Sequence, residues 1–127
     1  MKKRIAIAAI VSTLLFLSGI ASADTISQVW TCKLKDSKTQ EDAQAVNARW
    51  LKRARELTGS DAITSTYVNT TVGDTDGFLW VDSFPDFGTW GKLMDADEDE
   101  ELDAAFEALQ TCSGNRLYQG EETEAAK

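Results

Sequence analysis

The chain has 127 residues, with 13 Lys+Arg against 21 Asp+Glu, a formal net charge of −8, no histidine, two cysteines and one proline. That length suits one ordinary domain. The lack of histidine excludes a Ser-His-Asp triad, a Cys-His dyad, histidine-held zinc or haem and an imidazole pH switch. The acidic balance argues against nucleic acid as a partner, because a phosphate backbone needs clustered Lys and Arg.

Residues 1–23 read as a secretory signal peptide. Lys2, Lys3 and Arg4 form a positive start, the stretch from Ile5 to Ile20 is apolar or small, and Ala21-Ser22-Ala23 supplies a small-x-small cleavage pattern. The apolar run is short for a membrane span and is diluted by Ser12, Thr13, Ser18 and Gly19, so no membrane attachment is expected after cleavage. The expected destination is the bacterial periplasm or the medium. Loss of Lys2, Lys3 and Arg4 would take the formal charge from −8 to −11. The remaining charge is unevenly placed: residues 61–127 hold three basic and sixteen acidic groups, a balance of −13.

Residues 28–35 alternate, with Trp30, Cys32 and Leu34 on one face, as a half-buried strand does. Asp36 and Ser37 are cap candidates for a helix over 39–57, whose apolar stripe is Ala43, Val46 or Asn47, Trp50, Leu51, Ala54 and Leu57. Gly59 suits the position just past that helix. Residues 61–72 are rich in β-branched residues and include Tyr67, a second strand. A Gly73–Gly77 turn leads to a third strand over 78–84, apolar on both faces and so expected at the sheet centre. Phe87–Leu93 and the segment leading through Leu102, Ala105, Phe106 and Leu109 read as helical pieces, and Ser113–Tyr118 as a fourth strand. Residues 24–119 make one domain, and residues 120–127 a disordered tail.

The order β-α-β-β-α-β, with a weak repeat that places 29–36 over 79–86, predicts an α+β, ferredoxin-like antiparallel sheet in the order 4-1-3-2 with its helices on one face. In an exported chain Cys32 and Cys112 are expected to form a disulfide. That sheet order sets the first and fourth strands side by side, where the two cysteines can meet.

Several residue groups could carry chemistry. The acidic run 95–103 resembles a calcium loop at alternate positions, but Glu100 stands where glycine is needed and Phe106 where glutamate is needed, so it reads as a helix start and no metal is expected. Arg49, Lys52, Arg53 and Arg55 lie on one helix, with the acidic second half as their natural partner. Asp82 interrupts an apolar central strand, so it is expected to pair with Lys33, Arg116 or an arginine of the first helix and to border a cavity enclosed by the sheets. Trp50 and Trp90 read as core. Trp30, Lys33, Tyr67, Trp80, Asp82 and Arg116 are the ligand-pocket candidates. No catalytic residue and no cofactor is assigned.

The element order, the aromatic third strand and the run Phe84-Pro85-x-Phe87-x-x-Trp90 resemble the dimeric α/β-barrel superfamily, across most of residues 28–118. The resemblance implies two ferredoxin-like sheets packed face to face, hence a homodimer, which would explain the apolar outer face of the third strand. Its members include cofactor-free monooxygenases and haem-dependent enzymes. The latter usually rely on histidine, which is absent here. The leading expectation is an exported small-molecule-binding or accessory protein rather than an enzyme. The alternatives are a cofactor-free enzyme using Asp82 in an aromatic pocket, and an interaction protein whose sheet face is a dimer interface.

Overall fold

The computed structural model describes residues 25–73, 75–121, 123, 125 and 126. The expected signal peptide lies outside these residues. Seven elements follow in chain order: β1 (Thr25–Leu34), α1 (Gln40–Thr58), β2 (Thr64–Asn69), β3 (Phe78–Phe84), α2 (Phe87–Met94), α3 (Glu100–Leu109) and β4 (Gln110–Gly120). The four strands form one antiparallel sheet in the order β2-β3-β1-β4. This is the ferredoxin-like order expected from the sequence, with β1 and β3 at the centre.

Local chemistry sets the element ends. Thr39, not Asp36 or Ser37, caps α1: its hydroxyl accepts from the Asp42 amide while the Asp42 carboxylate accepts from the Thr39 amide. Ser37 is unsuited because it turns the chain at φ 64°, whereas a cap residue is extended. Gly59 closes α1 at φ 71°, its amide donating to the Arg55 carbonyl. Asp86 and Asp99 cap α2 and α3, and the acidic first turn of α3 meets the positive end of its helix dipole. β2 is shorter than the expected 61–72, because Asp61 and Ala62 still turn the chain. Ile63 then inserts fully buried, with its carbonyl taken by the Arg55 guanidinium at 2.8 and 3.0 Å. β4 starts earlier than expected and carries Cys112 within the strand.

The even-numbered side chains of β1 and β3 face the helices. Cys32, Phe78 and Trp80 pack with Ala43 and Leu109 in one cluster, and Ile26 and Phe84 with Ala54 and Ile63 in a second. Leu57, expected in the helix stripe, is exposed, and Asn47 rather than Val46 is the buried residue of that turn. The opposite sheet face carries Val29, Leu79 and Val81, all partly exposed. Cys32 and Cys112 are partners in the β1–β4 ladder and are joined by a disulfide. The ladder shifts register between Thr31 and Cys32, directly beside that bond. Arg49 reaches Glu101 at 2.8 Å, and Arg53 reaches Asp99 at 3.6 Å and the Asp97 carbonyl at 2.8 Å, so the basic helix meets the acidic half of its own chain. No helix among the described residues is long and apolar enough to cross a membrane.

Candidate functional site

Between the helix-covered sheet face and the helices lies a cavity of about 520 Å³, within the size range of small-molecule sites. Its sheet side is built from cross-strand partners. Trp30 lies opposite Trp80 in the β1–β3 register, and Gln28 opposite Asp82. Period-two alternation puts all four on the same face. Trp50 of α1 and Phe106 of α3 wall the cavity from the helix side. Glu98, Asp103 and Glu107 also line it and are exposed, so they stand at its solvent side.

Asp82 is 5% exposed and touches neutral donors. The Ser65 hydroxyl, its cross-strand neighbour on β2, donates to Oδ1 at 2.5 Å. That hydroxyl in turn accepts from Asn47 Nδ2 of α1 at 2.8 Å. Burial pushes the Asp82 carboxyl up to about 6, against the opposing pull of the Ser65 hydroxyl and the Trp30 side chain. A second chain of polar contacts runs along the wall. The Trp80 indole donates to Gln110 Oε1 at 3.1 Å, and Gln110 Nε2 contacts Cys112 Sγ at 3.4 Å. Cys112 itself lines the cavity, so the disulfide anchors one side of it.

The expected basic partner of Asp82 is not found among the described residues. Lys33 projects to the other sheet face and pairs with Asp76 at 3.4 Å. Arg116 lies opposite Val29 in the ladder, and so also on the other face. The α1 arginines are taken by Glu101, Asp99 and the Ile63 carbonyl. The odd–even alternation of β1 and β4 is the reason: a residue one position off in register points away from the helices. Of the six pocket candidates, Trp30, Trp80 and Asp82 come together at the cavity, and Lys33, Tyr67 and Arg116 do not line it. Tyr67 instead stacks on Phe78 at 4.2 Å and meets Trp80 edge-on at 5.1 Å, buttressing the wall from behind. This cavity lies beneath the helices of one chain, not on the outer sheet face where a second sheet would pack. Sequence reasoning missed Gln28, Asn47, Ser65 and Gln110. Asn47 carried a usable signal, a polar residue inside an apolar helix stripe.

No family model and no curated protein matches the sequence. Solved structures do match the fold. SnoaB, a cofactor-independent oxygenase from Streptomyces nogalater, superposes with a TM-score of 0.54 at 14% identity, over 80% of this chain and 97% of that one. A NIPSNAP-like domain protein from Burkholderia xenovorans gives 0.54 at 15% identity, over 82% and 91%. A hydroxynitrile lyase from Passiflora edulis gives 0.53 at 10% identity, over 81% and 99%. The shared architecture is the ferredoxin-like α+β fold that the element order implied. In this chain the fold places a buried carboxylate, with no counter-charge beside it among the described residues, at the floor of a tryptophan-walled cavity.

Proposed function

We propose that the protein binds a small organic molecule in the cavity beneath α1 and α3. The observation that carries this reading is Asp82: a carboxylate almost fully out of water, bonded to the neutral Ser65 hydroxyl and facing an open volume rather than a cation. A buried charge is costly to keep, and packing alone would favour an apolar residue there. The neutral fluorophore N-phenyl-1-naphthylamine tests the reading. Excitation of the tryptophans should give saturable energy transfer to one probe per chain. The exposed Val68→Lys variant on the other sheet face should change the affinity less than about twofold. Absence of saturable binding would overturn the proposal.

A second reading is favoured by one observation. A carboxyl with its pKa near 6 can accept a proton from an acidic C–H or O–H at neutral pH more effectively than a solvated aspartate. Asp82 would then be the general base of a cofactor-free reaction, and a cofactor-independent oxygenase on this fold lends it support.

The setting we propose is the cell envelope or medium, after removal of residues 1–23, with the domain spanning 24–119. The tripartite leader and a disulfide suited to an oxidising compartment support it. We also propose a homodimer through the outer sheet face, supported by its partly exposed Val29, Leu79 and Val81.

A further inference from the structure

We infer that the ligand of this cavity is an organic cation, a quaternary ammonium or a protonated amine carrying apolar substituents. The inference rests on the binding reading above and adds the ligand's charge. Every ionisable side chain lining the cavity is acidic: Asp82 at the floor, and Glu98, Asp103 and Glu107 toward solvent. No Lys or Arg lines it among the described residues. The rest of the wall is dominated by Trp30, Trp50, Trp80 and Phe106. Indole faces carry negative quadrupole density and attract a desolvated cation more strongly than they attract a neutral group of the same shape. An anionic ligand would meet repulsion at both the floor and the mouth. A neutral apolar ligand would leave the Asp82 carboxylate uncompensated. Only a cation neutralises the buried charge and uses the aromatic faces together.

The groups beside Asp82 on β1, β2 and α1 support this assignment. β1 offers Gln28 and Trp30, β2 offers Ser65, and α1 offers Asn47, all neutral. The α1 cations have other partners: Arg49 and Arg53 are held by Glu101 and Asp99, Arg55 by the Ile63 carbonyl, and Lys52 by Glu56. Near the mouth, Lys35 is held on the Glu107 backbone carbonyl and leaves the Glu107 carboxylate to the cavity. The strongly acidic second half of the chain adds a long-range field that attracts cations.

The test measures displacement of N-phenyl-1-naphthylamine at pH 7.5 by three probes of similar ring and different charge: benzyltrimethylammonium, benzyl alcohol and benzoate. The cation should bind about tenfold or more tightly than the alcohol, with benzoate weakest, as expected for cation–π contact plus a buried counter-charge. Benzyltrimethylammonium does not titrate, so any pH dependence belongs to the protein. Its affinity should fall by about tenfold between pH 7.5 and 5 as Asp82 takes up a proton, and Asp82→Asn should abolish most of that dependence. The paired variant Glu98→Gln, Glu107→Gln changes only exposed side chains and so keeps the fold. It should weaken the cation about twofold to fivefold at low salt, and less at high salt. Equal binding of the three probes, or tighter binding of benzoate, would overturn the cation assignment while leaving the cavity reading intact. Failure of both the naphthylamine and, by direct titration of tryptophan emission, benzyltrimethylammonium to bind would remove both readings.

Discussion

Asp82 is where the residue-scale physics is sharpest. Its carboxyl is pushed up to about 6 in the folded chain against 3.8 for a free aspartate, because burial outweighs the pull of Ser65 and Trp30. Between those values the native state holds a proton that the unfolded chain has released. The group's contribution to stability is therefore complete below about pH 4 and is lost as the pH rises through about 6. A shift of about two units corresponds to roughly 3 kcal/mol. A salt-bridged aspartate would behave in the opposite way, and its replacement would cost about 3–5 kcal/mol by stranding the partner. Here no partner is stranded. Asp82→Asn keeps an oxygen for the Ser65 hydroxyl and removes the buried charge. At pH 7 the variant should be as stable as the parent or more stable, by up to about 3 kcal/mol, and the two should converge near pH 4. Denaturant unfolding of both proteins across pH 4–7.5 reads this directly, and a variant that loses stability at pH 7 would show a cationic partner for Asp82.

At the scale of elements, β4 is the strand most dependent on a single covalent tie. It lies at the sheet edge, and nearly all of its residues are exposed, so little apolar burial holds it to β1. The Cys32–Cys112 disulfide closes a separation of 80 residues, which in the chain-entropy model stabilises by up to about 4.5 kcal/mol. Reduction, or the paired Cys32→Ser, Cys112→Ser change, should lower the denaturant midpoint accordingly. It should also expose β4 amides to hydrogen exchange before those of β3. Because Gln110 lies between Trp80 and Cys112, the same change should perturb tryptophan emission at the cavity. An unchanged midpoint would mean that the β4 ladder holds without its staple.

The whole molecule is asymmetric about its sheet. One face is closed by helices over two apolar clusters, and the other presents Val29, Leu79 and Val81 between polar neighbours such as the Ser27–Ser83 pair. Val68 and Tyr118, 36% and 48% exposed, extend that outer surface. A contiguous apolar sheet face of this kind is a common site of association. Light scattering of the chain beginning at Asp24, at micromolar concentration, should give twice the monomer mass. Val81→Lys should shift it toward monomer by opposing like charges across the interface. A strict monomer at that concentration would leave the outer face to some other covering.

Much of the fold was readable in the sequence because it is written in short-range periodicity. The alternation of β1, the helical stripe through Ala43 and Ala54, Gly59 and the 78–84 strand each declare an element with their own residues. Their order restricts the sheet to few topologies, and the cysteine pairing follows from compartment and count. The cavity was half readable. Trp30, Trp80 and Asp82 stood out because they share one face of neighbouring strands, or break its pattern. Gln28, Ser65 and Gln110 did not, since a single polar residue on a strand or at a helix end carries no mark of what it will face. Side choice defeated the expected Lys33 and Arg116 partners. Strand alternation puts both on the outer face, and only the register of β1 against β3 and β4 shows that Asp82 points the other way. The sequence by itself determined the elements, their order and the staple, because these depend on local pattern and chain connectivity. Tertiary structure alone decided that Asp82 is buried without a cation and that the cavity lies beneath the helices, because desolvation and charge pairing depend on which distant residues the fold brings within hydrogen-bond reach.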